Sequence, residues 1–218
     1  MRRADFLLLL PAALVSATFG LMAGLAACAA YAQSSEVQSE NRSRLLTTNA
    51  CVACDLTGVN LAGQNLLGAD LRQADLSRAD LRGVFLTGAN LYQARLIGVN
   101  LSGAVIAGAV LSAADLRNSN LSQVNANRTS FSQANLTYVD FSGAALERVD
   151  MEGANLSGAN FKDADLYEAR FLFAEMSDTN FSSANLHEAD FSQAEVSGMQ
   201  TDASTTCPDL KPGPCVFQ

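Results

Sequence analysis

The chain has 218 residues, of which 17% are charged and 7% aromatic, with no Trp. That suits one domain of ordinary size but excludes a conventional globular core of bulky side chains. A formal net charge of −8 excludes a general affinity for nucleic-acid phosphates, which requires a basic surface.

Residues 1–32 stand apart in composition. Arg2 and Arg3 precede an apolar stretch from Phe6 to Leu25, broken by Pro11, and Ala30-Tyr31-Ala32 comes next, before Gln33. A basic start, an apolar run and a small-x-small site are the layout of a secretory signal peptide. The run approaches the ~20 residues that span a bilayer, so an uncleaved anchor is the competing reading. Leu25-Ala26-Ala27-Cys28 also resembles a bacterial lipobox, in which Cys28 is lipidated. Both routes imply export, with membrane contact only through the signal segment or a lipid on Cys28. Residues 33–53 are expected to form an N-terminal cap, with Arg42–Leu46 as a short helical lid.

Setting Cys28 aside leaves Cys51, Cys54, Cys207 and Cys215. An even number in an exported chain suggests two disulfides. The Cys51-x-x-Cys54 spacing also fits a redox pair or half a zinc site. No second such pair and no nearby His complete a metal tetrad, and a thioredoxin-type βαβ setting is missing. The structural reading, Cys51–Cys54 and Cys207–Cys215, is therefore preferred.

An internal repeat dominates the rest. Every fifth residue from Leu56 to Val196 is apolar: of 29 positions, 18 are Leu, six Phe and two Met, with Ile106, Ala126 and Val196 completing the set. Two residues earlier stands Ala in 18 cases and Val in six, and the intervening residue is Asp or Asn in 20. Ala69-Asp70-Leu71-Arg72-Gln73 shows the unit, and no insertion shifts it. A period of five fits neither a helix nor a strand. It makes sense if the chain turns a corner after each unit, so that four units close a square coil of ~20 residues stacked at ~4.8 Å. The apolar residue and the small residue then point inward and Asp or Asn outward, where it can hydrogen-bond local backbone. Every fourth unit forms one interior column. One column runs Leu61, Leu81, Leu101, Leu121, Phe141, Phe161, Phe181, and the facing one ends in Phe131, Met151, Phe171, Phe191. The C-terminal coils should therefore hold two facing Phe-rich ladders. The coils between the two cysteine pairs span roughly 35 Å, which excludes a disulfide from one end to the other.

On these residues the chain resembles the pentapeptide-repeat family. The resemblance implies an all-β fold, a right-handed quadrilateral β-helix of about seven coils, here over residues 54–198 with a C-terminal cap or tail at 199–218. Its handedness is carried by the resemblance and not by the spacing. The Cys-x-x-Cys-Asp-Leu start of the repeat resembles exported cyanobacterial members, which points to the thylakoid lumen beside the periplasm and cell envelope as compartments.

Chemistry is scarce. The one His, His187, and serines such as Ser77, Ser102 and Ser157 fall at generic outer positions. No nucleophile–base set, phosphate loop or metal cluster emerges, so no catalytic residue, metal or cofactor is assigned. Charge is polarised along the rod. From Asn41 to Val139 there are eight Arg against five Asp, and from Asp140 to Lys211 four Lys or Arg against fourteen Asp or Glu. Solubility is the plain reading. Family members that inhibit DNA gyrase by mimicking duplex DNA suggest another, but the export signal and the non-acidic N-terminal half depart from them. One side departs from the Asp/Asn rule: Phe85, Val105 and Ala145, with Leu67 and Ala107 beside them. Clustered exposed apolar residues suggest an interface, and neutral drift is the alternative. The expectation is an exported, non-enzymatic scaffold with a protein partner or a second copy, and no nucleic acid. A DNA-mimicking topoisomerase regulator is the alternative.

Overall fold

The structure, a computed structural model, describes residues 35–211 and 213–215. The leader at 1–32 and Cys28 lie outside the described residues. The chain opens with helix α1 (35–48) and then winds into stacked square coils. Each outward residue before an inward apolar one pairs in parallel with the residue twenty on: Asp55 with Asp75, Asp75 with Arg95, Arg95 with Asp115. Seven coils of twenty run from Cys51 to Asp190, and an eighth is partial. Extended pairing longer than one residue occurs, among the described residues, only in β1 (Glu175–Ser177) and β2 (Glu195–Ser197), parallel and in register. Elsewhere a corner after each unit interrupts the strand.

The hydrogen bonds of one unit explain the repeat. Leu76 N–H and Arg78 N–H donate forward to Arg95 O and Ile97 O at 2.7 and 2.9 Å, and Asp80 N–H donates back to Val59 O at 2.9 Å. Ala79 N–H closes the corner onto Leu76 O at 3.0 Å, with Arg78 at φ 59°. A positive φ at the third residue of such a turn is type II geometry. One donor remains, Ser77 N–H, and the Asp75 carboxylate accepts it at 3.0 Å. The same bond recurs from Thr57 to Asp55, Ala62 to Asn60 and Ser102 to Asn100. Asp or Asn is thus the acceptor for the one backbone N–H per unit that the coil leaves over, and buried or covered N–H groups need one. Gly at the positive-φ corner avoids the steric cost of a side chain there, as at Gly158, where an added Cβ would also meet the Tyr138 ring at 2.4 Å.

The bore is filled as the columns require. Leu61, Leu81, Phe141, Phe161 and Phe181 are buried to 1% exposure or less. Phe141, Phe161 and Phe181 stack at 4.9 and 5.0 Å, Phe171 stacks on Phe191 at 4.8 Å, and the two ladders meet edge-to-face. Where a polar residue takes the small inward position, its hydroxyl turns back to a carbonyl of the preceding coil. Ser119 Oγ donates to Leu96 O at 2.7 Å and Thr129 Oγ1 to Ile106 O at 2.8 Å. No buried hydroxyl at these positions is left without an acceptor, which would be costly.

The N-terminal end is covered, whereas at the far end Phe191 is only partly buried and Val196, the last residue expected to point inward, is 39% exposed. Helix α1 is longer than the lid expected over Arg42–Leu46. Its acidic start (Glu36, Glu40) and basic later turns (Arg42, Arg44) match the helix dipole, and Asn49 at φ 57° ends it in the left-handed conformation common at helix stops. Leu45 is fully buried on the first coil. The carbonyls that coil would have offered to a preceding one are taken by the cap: Asp55 O by Asn41 Nδ2, Asn60 O by Arg42 Nε, and Leu67 O by Asn49 Nδ2, at 2.8–2.9 Å. The coil also starts earlier than Cys54, because Cys51 is fully buried at an inward position and bonded to Cys54, with Cα atoms 5.4 Å apart. At the far end the register slips by one, Asn185 pairing with Thr206. The Cys207–Cys215 disulfide ties down the C-terminal segment.

Candidate interaction face

The coil has four sides, and one is unlike the others. Its outward column reads Asn65, Phe85, Val105, Asn125, Ala145, Asp165, Asn185. The structure brings all five candidate interface residues to this side: Phe85, Val105 and Ala145 in that column, Leu67 and Ala107 two residues further along their own coils. Leu67 is 60% and Phe85 49% exposed, while Val105, Ala107 and Ala145 are half-buried. Two shallow depressions indent this side. One of about 390 Å³ is lined by Gly63, Asn65, Leu67, Phe85 and Thr87. The other, about 420 Å³, is lined by Ala107, Gly108, Asn125, Asn127, Arg128 and Glu147. Other sides also carry exposed large side chains, among them Val110 at an outward column position, Tyr92 beside that column, and Tyr138 and Phe173 at corners.

The hydrogen-bond pattern adds a feature that the sequence reading missed. Asn65 accepts from Leu67 N–H and Asn125 from Asn127 N–H, each at 3.3 Å. Phe85 and Val105 have no acceptor to offer, so Thr87 N–H and Ala107 N–H find none within the described chain. Beside Ala145 the gap is filled from the preceding coil, Asn127 Oδ1 accepting Glu147 N–H at 2.9 Å. On this side the two open donors lie in adjacent coils at the middle of the apolar stripe, while single open donors on other sides, Ile97, Ser112 and Leu172 N–H, follow Arg95, Val110 and Arg170 in the same way among the described residues. The signal was present in the departures from Asp or Asn at 85 and 105, once the role of that side chain is known.

Further along, the same side becomes ionic. Arg148 Nε donates to Glu168 Oε2 at 2.5 Å, and Tyr167 Oη donates to Glu188 Oε2 at 3.2 Å. Hydrogen bonds from Arg148 and then from Tyr167 hold the Glu168 carboxyl down at about 2, and the bond to Glu168 is the main cause that pushes the Tyr167 phenol up to about 12. His187, expected as a solvated outer residue, instead packs its ring 5.5 Å from Tyr167, with Nδ1 enclosed and unpartnered and Nε2 3.4 Å from Glu188 Oε1. Ser77 also departs from its expected outer role: it is 8% exposed with an enclosed, unpartnered Oγ, in a column between Thr57 and Ile97.

A depressed carboxyl stabilises the fold above its ordinary value of 4.5 and loses that contribution as pH falls towards 2. Glu168→Gln should therefore lower the melting temperature slightly at neutral pH, and the gap to the parent should close between pH 4.5 and 2. Thermal scans across that range check it, and a gap that does not change with pH would assign the effect to packing.

On the remaining sides Asp70, Asp80 and Asp115 each cap a backbone N–H while bonding an Arg two residues on, Asp70 Oδ2 to Arg72 Nη2 at 2.7 Å. These hydrogen bonds lower the three carboxyl pKa values. Exposed pairs of this kind add little stability. Among the described residues no group of three or more His, Cys, Asp and Glu is placed to hold a metal.

Comparison with known proteins decides the family. The pattern described as pentapeptide repeats matches in eight copies, covering residues 54–93, 86–123, 114–153, 146–182 and 154–193. The chain is a pentapeptide-repeat protein. Its fold is accordingly the right-handed quadrilateral β-helix of that family, built as a repeat scaffold. Among solved structures it is similar to HetL, a pentapeptide-repeat protein involved in heterocyst differentiation regulation from the cyanobacterium Nostoc sp. strain PCC 7120. Identity is 25% over 75% of this chain and 91% of HetL, with a TM-score of 0.34. It is also similar to QnrB1, a plasmid-mediated fluoroquinolone resistance protein, at 18% identity over 70% of this chain and 80% of that one, TM-score 0.42. A pentapeptide-repeat protein of the Arabidopsis thaliana thylakoid lumen matches at 28% identity over 58% of this chain and 68% of its own, TM-score 0.27. No curated protein sequence matches the chain.

Proposed function

We propose that this pentapeptide-repeat protein is an exported, non-enzymatic scaffold that binds a partner protein through the side carrying Leu67, Phe85, Val105, Ala107 and Ala145. The observation that carries the reading is the coincidence, on one side and in adjacent coils, of exposed apolar side chains with backbone donors left open. A repeat under no constraint but folding gains from Asn or Asp at 85 and 105, because each would satisfy one N–H. Retaining Phe and Val there forgoes that gain. Export is supported by the basic-then-apolar leader and by cysteines paired at each end of the coil. The compartment is then the periplasm, cell envelope or thylakoid lumen, and peptide mapping without reductant should recover Cys51–Cys54 and Cys207–Cys215 from it. Four free thiols there would count against export.

The test is cross-linking and recovery from the native compartment with the parent chain and with Phe85→Asn/Val105→Asn. The double variant should melt at the same temperature or higher, since it completes the repeat, yet lose partners that the parent recovers. Unchanged partners and unchanged mass in solution would show that the side is not an interface. Recovery of a topoisomerase by both forms would instead favour DNA mimicry by the acidic C-terminal half.

A further inference from the structure

Resting on that reading of the side as an interface, we propose that its occupant is an extended, acidic–apolar segment of a partner protein. The segment lies along the rod with an apolar side chain in the depression at Leu67 and Phe85, and a carboxylate about four residues later at Ala107 N–H and Arg128.

Three observations select this occupant. The first is the open donors. Thr87 N–H and Ala107 N–H have no acceptor in the described chain, whereas the coils before and after are satisfied by Asn65 and Asn125. A partner that displaces water from Phe85 and Val105 must bring acceptors to both or leave them unpaired in a drier setting. An extended segment supplies backbone carbonyls and side-chain oxygens at the required spacing, as in other recognition of extended peptides.

The second is charge. Between Asn65 and Arg128 this side carries no Asp or Glu at positions 65–68, 85–88, 105–108 and 125–128. Arg128 lines the second depression beside Glu147 of the next coil, yet makes no ion pair with it or with any other described residue, unlike Arg72, Arg82 and Arg117 on other sides. A free guanidinium beside an open backbone N–H is a donor set for a carboxylate, and a charged acceptor strengthens both bonds.

The third is size. The stripe from Leu67 to Ala145 covers five coils, roughly 19 Å at ~4.8 Å per step. The side is about 10 Å wide, so the stripe offers on the order of 200 Å², far short of the ~800 Å² per partner of a stable globular interface. It matches about six extended residues. The two depressions lie about 2.5 coils apart, ~12 Å, close to the span of four extended residues. A second copy of this rod would lay its own flat side here and gain little more than the stripe itself.

The experiment titrates the 15N-labelled full chain with the heptapeptide acetyl-Thr-Leu-Thr-Val-Thr-Glu-Thr-amide and with versions carrying Gln or Lys in place of Glu. The Glu probe should shift the Thr87 and Ala107 amides and bind about tenfold more tightly than the Lys probe. Phe85→Asn/Val105→Asn should abolish those shifts while leaving the fold intact. Arg128→Ala should weaken the Glu probe several-fold and leave the Gln probe unchanged. Equal binding of Glu and Lys probes, shifts elsewhere on the rod, or no shift at about 1 mM would overturn the proposal. So would a concentration-dependent dimer lost in the double variant, which assigns the side to a second copy. If the double variant loses native partners while the probe fails, the interface stands and only the acidic segment falls. If both fail, the interface reading falls with it.

Discussion

Phe161→Ala is expected to destabilise the protein by about 3–5 kcal/mol, among the larger effects open to a single substitution in this chain. Phe161 is fully buried and sits in the middle of a stack, 4.9 Å from Phe141 and 5.0 Å from Phe181, with its edge towards Phe171. Truncation removes one ring from a ladder held on both sides. The cavity cannot collapse easily, because each coil is pinned to the next by backbone bonds such as Phe161 N–H to Asn180 O and Asn160 N–H to Val139 O, at 2.7 and 2.9 Å. Ser157, one unit earlier, is half-buried on the outside, with its N–H already taken by Asn155. Ser157→Ala should change stability by no more than about 0.5 kcal/mol. Urea titration of both variants checks the assignment of inward and outward positions, which equal losses would break. Since the solenoid couples mainly neighbouring coils, the Phe161→Ala transition should also broaden, with the C-terminal coils melting first.

Ala159→Leu should cost about as much, at or beyond the ~1–3 kcal/mol typical of overpacking. Ala159 points into the bore at 1% exposure, two residues before Phe161. Its N–H closes the corner on Leu156 O at 2.9 Å and its O accepts Asn180 N–H at 3.0 Å, so the backbone cannot retreat from a larger side chain. Volume is what discriminates here, and hydrophobicity does not. Ala159→Val is expected to be tolerated to within about 1 kcal/mol, because its column already holds Val139 and Thr179 one coil to either side. A stable Leu variant would mean that the bore is wider than close packing implies.

Much of this was legible before any coordinate. The period of five places Leu56, Leu61, Leu66 and their successors inward, because each unit turns the same corner, and the same covalent geometry repeats without a shift. The facing Phe ladders follow by counting in twenties. So do the apolar departures at Phe85, Val105 and Ala145, since outward positions are as regular as inward ones. What the tertiary structure decided lies where the regularity stops or where one coil acts on another. The cap lengthens to 35–48 because the first coil's carbonyls need donors, and Asn41, Arg42 and Asn49 bring them. Cys51 joins the bore, and the pairing slips by one at Thr206. His187 is half-buried beside Tyr167, its neighbour one coil back, and Ser77 is enclosed within its column. The open donors of Thr87 and Ala107 became visible only when every N–H of a coil had been paired off. A five-residue unit encodes its own corner, but which atoms meet between coils depends on residues about twenty positions apart, and only stacking brings those together.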